Sequence, residues 1–163
     1  DILTHAYTGR LGGLVGGDDN LLSELKAASD RGVVIDAAPA KSHFSFDLAR
    51  IALEHGLVPT TLSTDITRTN YRGPALFSLP VVMSKFLALG LTIDDVVRKT
   101  TIVPARILKE DQRRGSLKVG FPADITVFEL RAGSFLFSDG IAEQTLEGNQ
   151  LLEPRVTLRQ PLK

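Results

Sequence analysis

Over roughly the first ninety residues, one pattern occurs three times: a short apolar run followed by a stretch of helical periodicity that glycine closes. The runs are residues 2–5, Val33-Val34-Ile35 and Leu57 to Ile66. The first helix is expected from an Asn20 cap to about Arg31, with Leu21, Leu25 and Ala28 on one face and Gly32 as its stop. The second starts from Ser45, turns Leu48, Ile51 and Ala52 inward and ends at Gly56. In the third, Leu79, Val82, Met83, Phe86 and Leu87 fall at i, i+3, i+4, i+7 and i+8 before Gly90. Strands that alternate with helices favour a parallel sheet with crossover helices. The unbroken β-branched run at 33–35 fits a strand buried on both faces.

Three such units cannot close an eight-stranded barrel, which takes about 250 residues. Three strands alone also leave two apolar edges open. The chain is therefore either a small open sheet or the last three-eighths of a barrel. Thr92 and Asp95 have the spacing of a capping box, with Ile93, Val96 and Val97 as the apolar side of the helix they open. Pro104 suits the first turn of a short helix through Leu108. Beyond it the character changes. Turn-rich stretches at 115–124 lead to a strand at 125–128, then a loop-rich region over 131–150 with one strand at 134–137. A last strand is expected over 151–160, which Pro154 confines to an edge or a late start. The expected division is a partial barrel over 1–112 and a β-rich segment over 113–163.

Charge removes some partners. Nineteen basic residues balance nineteen acidic ones, which gives no electrostatic case for nucleic acid or an anionic membrane. The absence of cysteine excludes disulfides, thiolate catalysis and cysteine-bound zinc, and fits a reducing, cytoplasmic setting. No apolar run approaches the roughly 20 residues that span a bilayer. A strand that begins at residue one predicts a preceding segment elsewhere, and an exposed sheet edge predicts homo-oligomerisation or association with a missing barrel half.

Catalytic residues of parallel barrels collect at the carboxyl ends of the strands. His5 ends the first run and Asp65 closes the third, so both side chains can point into one mouth. An imidazole and a carboxylate suit zinc and similar ions, although a catalytic zinc usually takes three protein ligands. The plainer readings are a strand-end histidine bonded to a neighbouring loop and an aspartate that caps the next segment. His43, in the polar loop Lys41-Ser42-His43, reads as solvated, and His55, near a helix end, as structural. Arg68 and Arg72 follow Asp65 in a loop that would overhang the mouth and could hold a substrate carboxylate; the other reading is solvated loop arginines. The glycines from Gly9 to Gly17 fit no phosphate-binding spacing.

The order of Leu3-Thr4-His5, Asp36, Phe44-Ser45-Phe46, Ser63-Thr64-Asp65-Ile66, Leu79-Pro80 through Met83-Ser84-Lys85-Phe86-Leu87, Pro104-Ala105-Arg106 and Gly115-Ser-Leu-Lys-Val-Gly120-x-x-Ala123-Asp124 resembles the amidohydrolase superfamily. Within it, the match is similar to the deacetylase branch related to dihydroorotases and D-aminoacylases. The last of these stretches is a broad mark of the superfamily, where the chain returns to a small β-sandwich beside the barrel. The Leu-Thr-His and Ser-Thr-Asp pieces are narrower.

The resemblance implies a fold and a chemistry. The chain would be the C-terminal part, strands six to eight, of a TIM-type (β/α)8 barrel, followed by strands of the sandwich. His5 would bind one metal of a two-metal centre, Zn2+ by expectation. Asp65 would bind the other and take a proton from the bridging water. The substrate would be a small molecule with an amide or ester bond. The family's paired strand-one histidines, bridging lysine and strand-five histidine would lie upstream of Asp1, and Ala38-Pro39-Ala40 stands where relatives often carry Gly-His-Gly. The expectation is thus a hydrolase segment that is inactive by itself; the opposing one is a non-catalytic segment with a structural or interaction role.

Overall fold

A computed structural model of the chain describes residues 1–9, 19–40, 42–68, 78–139 and 144–159. The elements are β1 (Ile2–Leu3), α1 (Asp19–Asp30), β2 (Val34–Ile35), α2 (Phe46–Glu54), α3 (Leu79–Ala88), α4 (Ile93–Thr100), α5 (Ile102–Ile107), β3 (Ile125–Ser138) and β4 (Thr145–Leu158). β1 and β2 are parallel, with Ile2 opposite Val34 and Leu3 opposite Ile35. α1 makes the crossover between them, as strand–helix alternation requires.

The third run of the repeat is a correction. The sequence predicts a strand from Leu57 to Ile66, but only one parallel bridge forms there, Asp36 with Thr61. Pro59 has no N–H to offer a ladder. The amides of Thr60 and Thr61 both donate to Ile35 O, at 2.7 and 3.2 Å, and Leu62 N turns away to Lys99 O at 3.2 Å. The segment still lies beside β2, on the side away from β1, so three parallel pieces of chain form one wall.

The core behind this wall is aromatic. Tyr7, Phe44, Phe46 and Phe86 are fully buried. Their rings meet edge to face, with centroids 5.4 Å apart for Phe44–Phe46 and 6.1 Å for Tyr7–Phe86, the arrangement that ring quadrupoles prefer. Tyr7 donates its hydroxyl to Leu57 O at 3.1 Å, so the burial leaves no donor unmet. That burial, with the nearby Asp36 carboxylate, pushes the phenol well above its ordinary range.

The expected caps of α2 and α4 form, and Ser78 adds one to α3 that the sequence reading did not name, whereas Asn20, expected to cap α1, lies inside that helix. Ser45, Ser78 and Thr92 each accept a bond from the amide three residues on, and Thr92 with Asp95 completes a capping box. The buried faces differ in detail. In α1 Leu22 is buried, while Leu21, Leu25 and Ala28 are half-buried along a groove shared with Glu24 and Arg31. In α4 Val96 is buried but Ile93 and Val97 are exposed. In α3 Ser84 and Lys85 are buried and Leu79 is exposed. The reason is that both strands of the β3–β4 hairpin reach α3. Ser84 Oγ accepts from Leu152 N at 2.9 Å, and Lys85 Nζ donates to Ser138 O at 2.6 Å.

The loop-rich reading of 131–150 is also corrected. β3 and β4 form one antiparallel hairpin, fourteen residues a strand, with register shifts at Val127/Phe128 and Ala132/Phe135. Pro154 sits opposite Phe128 at the first shift, where a missing N–H breaks no regular ladder. Gly148 lies within the stretch expected to be loop-rich. Here it allows close packing: a Cβ would lie 2.8 Å from the Phe137 ring and 2.9 Å from Ala88 Cβ. Phe137 and Leu152 join the same core as the parallel wall, so the hairpin is packed into the molecule. Among the described residues the β-rich segment is this single two-stranded sheet. No described helix is long and apolar enough to cross a membrane.

Candidate metal centre

The carboxyl ends of the three parallel pieces form one rim. His5 follows β1, Ala38 and Ala40 follow β2, and Asp65 follows the bridged segment. Neighbouring strands lie about 4.8 Å apart, so backbones two strands apart are separated by roughly 10 Å. His5 and Asp65 nevertheless meet over the middle piece, with His5 Nε2 3.8 Å from Asp65 Oδ2. Both side chains are partly exposed, 30% and 38%, so a small molecule from solvent can reach them.

His5 Nδ1 lies 2.8 Å from Ala38 O. A carbonyl can only accept, so Nδ1 donates its proton there, and Nε2 is the nitrogen that faces Asp65. This is the way a backbone carbonyl fixes the tautomer of a metal-binding histidine. His5 is thus bonded to a neighbouring loop, as its plainer reading has it, and that same bond aims its other nitrogen at the carboxylate.

His43 also belongs to the rim, which the solvated-loop reading missed. It is half-buried, and its ring stacks on that of His5 with centroids 4.3 Å apart and planes 24° apart. One ligand atom each from His5, His43 and Asp65 lie within 4.8 Å of one another. The loop carrying His43 is pinned from both sides: His43 N donates to Pro39 O at 3.0 Å and Ser45 N to Tyr7 O at 3.1 Å. Two imidazoles and one carboxylate make a donor set that suits zinc and neighbouring transition metals. The residues present therefore fit a divalent cation.

Below the rim, Asp36 ties the three pieces together. Thr61 Oγ1 and Ser63 Oγ each donate to its carboxylate at 2.7 Å, and Thr4 Oγ1 at 3.2 Å. Hydroxyl side chains directly before His5 and shortly before Asp65 are the sequence signal for this network, but only the strand register shows that they converge.

The backbone of the rim is strained. Of the five non-glycine residues with positive φ among the described residues, four are here: His5 (58°), Ala38 (33°), Ala40 (45°) and Asp65 (48°). A left-handed backbone costs an L-residue about 1–2 kcal/mol, and such outliers gather at functional sites. Elsewhere, His55 is structural as expected. Its Nδ1 lies 2.8 Å from Ile51 O, and Nε2 is 3.4 Å from Asp19 Oδ1 at the start of α1. Arg68 is exposed. Arg72 and the glycines from Gly12 to Gly17 lie outside the described residues.

A model described as "Amidohydrolase family" matches residues 40–146. A deacetylase of Brucella anthropi is 30% identical over 155 residues, covering 95% of this chain and 38% of that protein. A deacetylase of Enterococcus faecalis is 29% identical over 143 residues, covering 85% of this chain and 38% of its own length. Among solved structures, an adenine deaminase superposes with a TM-score of 0.88 at 26% identity, over 98% of this chain and 43% of that one. A dihydroorotase does so with a TM-score of 0.84 at 30% identity, over 98% of this chain and 41% of that one. The chain thus spans about two-fifths of the length of the relatives it matches.

Proposed function

This chain belongs to the amidohydrolase family, and on that premise we propose that it is the C-terminal part of a metal-dependent hydrolase barrel. In this reading the protein cleaves an amide or ester bond of a small molecule, and the deacetylase relatives favour a short acyl group as the part released to water. The three parallel pieces correspond to the last strands of a (β/α)8 barrel, and the hairpin to strands of an adjoining β-sandwich.

The observation that carries the reading is the approach of His5 Nε2 to Asp65 Oδ2 across the rim, with the tautomer of His5 fixed by Ala38 O. His5 and Asp65 would hold the cation, zinc by donor chemistry. When bound, a divalent cation lowers the pKa of a coordinated water and polarises the scissile carbonyl. Asp65 accepts the water's proton and returns it to the leaving group, as a positioned carboxylate can. Asp36 acts through its neighbours: it fixes Ser63 and Thr61, and with them the approach of the chain to Asp65.

The test is Asp65→Asn in the full chain together with whatever segments it natively adjoins, assayed on a panel of acetylated small amines. Loss of general acid–base catalysis predicts a fall in kcat of about 10²–10⁴-fold with the circular dichroism unchanged. Turnover equal to that of the unaltered protein would overturn the role of Asp65. Absence of both turnover and bound metal in the unaltered protein would instead favour a structural or interaction role.

A further inference from the structure

We propose that His43 is a third protein ligand, so that this chain alone holds one divalent cation through His5, His43 and Asp65. The proposal rests on the metal-centre reading above and goes beyond it, because that reading needs only His5 and Asp65. Two protein ligands are fewer than the three typical of a catalytic zinc. The rim offers a third at the right place, since the three ligand atoms lie within 4.8 Å of one another. Around a tetrahedral zinc, bonds of about 2.0–2.2 Å set the ligand atoms roughly 3.3–3.6 Å apart. His5 Nε2 and Asp65 Oδ2, 3.8 Å apart, are already close to that spacing, and no pair of the three has to close by more than about 1.5 Å.

The surroundings favour closure without refolding. The His43 loop is anchored at Pro39 O on one side and, through Ser45, at Tyr7 O on the other. The imidazole is therefore presented by a fixed turn. Its ring stacks on that of His5, with centroids 4.3 Å apart, which keeps the two imidazoles side by side at the rim. The site also combines residues from three separate strand ends: β1, the loop between β2 and α2, and the segment after the Asp36–Thr61 bridge. A cation there would cross-link the three parallel pieces at the rim, much as Asp36 cross-links them below it.

The experiment is a Co2+ titration of the full chain, read by visible absorption, with Zn2+ competition to give affinities. Unaltered protein, His43→Ala, His43→Gln, His5→Ala and His55→Ala are compared after circular dichroism confirms folding. The expected result is tighter binding by the unaltered protein than by either His43 variant, by tenfold or more. The cobalt spectrum should change in both variants, and added free imidazole should restore it in His43→Ala, where the ring's space is vacant. His55→Ala should match the unaltered protein. If the His43 variants bind with unchanged affinity and spectrum while His5→Ala loses the metal, the role of His43 is overturned and the His5–Asp65 centre stands. If His5→Ala also binds as before, the centre itself is overturned. If the His43 variants bind less but free imidazole restores nothing, His43 acts by packing on His5 and the proposal falls.

Discussion

Ala40 shows how single residues carry the rim. It is buried, its φ is 45°, and its amide donates to Thr64 O at 3.1 Å, next to Asp65. The backbone there is set by that bond, and the methyl group must accept a left-handed conformation that glycine would adopt without cost. Ala40→Gly is expected to raise the unfolding free energy by about 1 kcal/mol, the relieved strain outweighing the entropy glycine adds to the unfolded chain. Urea denaturation checks it, and a lower midpoint for the variant would mean that the backbone there is not strained. None of this is legible in the sequence, where nothing in Ala38-Pro39-Ala40 signals a left-handed backbone. His43 was missed for a related reason. A polar loop with one histidine looks solvated until the turn that folds it back onto His5 is known.

At the scale of elements, the junction between α3 and the hairpin holds a buried cation. Lys85 is 3% exposed, donates to Ser138 O, and lies 5.9 Å from the Phe46 ring centroid. Burial lowers its pKa to about 7, against an opposing upward pull from Asp139. The folded value lies below the ordinary one near 10.5. Between these values the unfolded chain binds a proton that the folded chain does not, so stability rises with pH across that window. Below pH 7 both states are protonated and the cost of burying the charge is fully present. Lys85→Met keeps the length of the side chain without the charge. The difference in urea stability between unaltered protein and Lys85→Met should shift in favour of the unaltered protein from pH 7 to 9.5, and parallel curves would refute it. The helical pattern of α3 marks Val82, Met83 and Phe86 correctly, but a face pattern cannot show that a strand from the far end of the chain covers Ser84 and Lys85 as well.

For the whole molecule, the consequence lies at the sheet edge. Among the described residues β1 pairs with β2 alone, and Ile2 is 60% exposed. The hairpin likewise exposes Val127, Leu130, Val156 and Leu158. Unpaired strand edges and exposed apolar side chains favour association. Sedimentation of the 163-residue chain over increasing concentration should show self-association, and a single monomeric species throughout would count against the partial-barrel reading.

Local sequence determined what local physics can determine. Strand–helix alternation, serine and threonine caps and glycine stops placed the helices, and the ends of the apolar runs pointed to His5 and Asp65, two of the three candidate ligands. Tertiary structure decided what depends on contacts between distant segments. The third strand shrank to one bridge because its amides are shared between Ile35 and Lys99. The region read as loops became long strands because α3 supplies the surface that β4 packs against. The second imidazole entered the rim because its loop is tied to Tyr7 and Pro39. Hydrophobic periodicity reports which side of an element is buried; which segment buries it, and which side chains then meet, depends on pairings that local sequence does not encode.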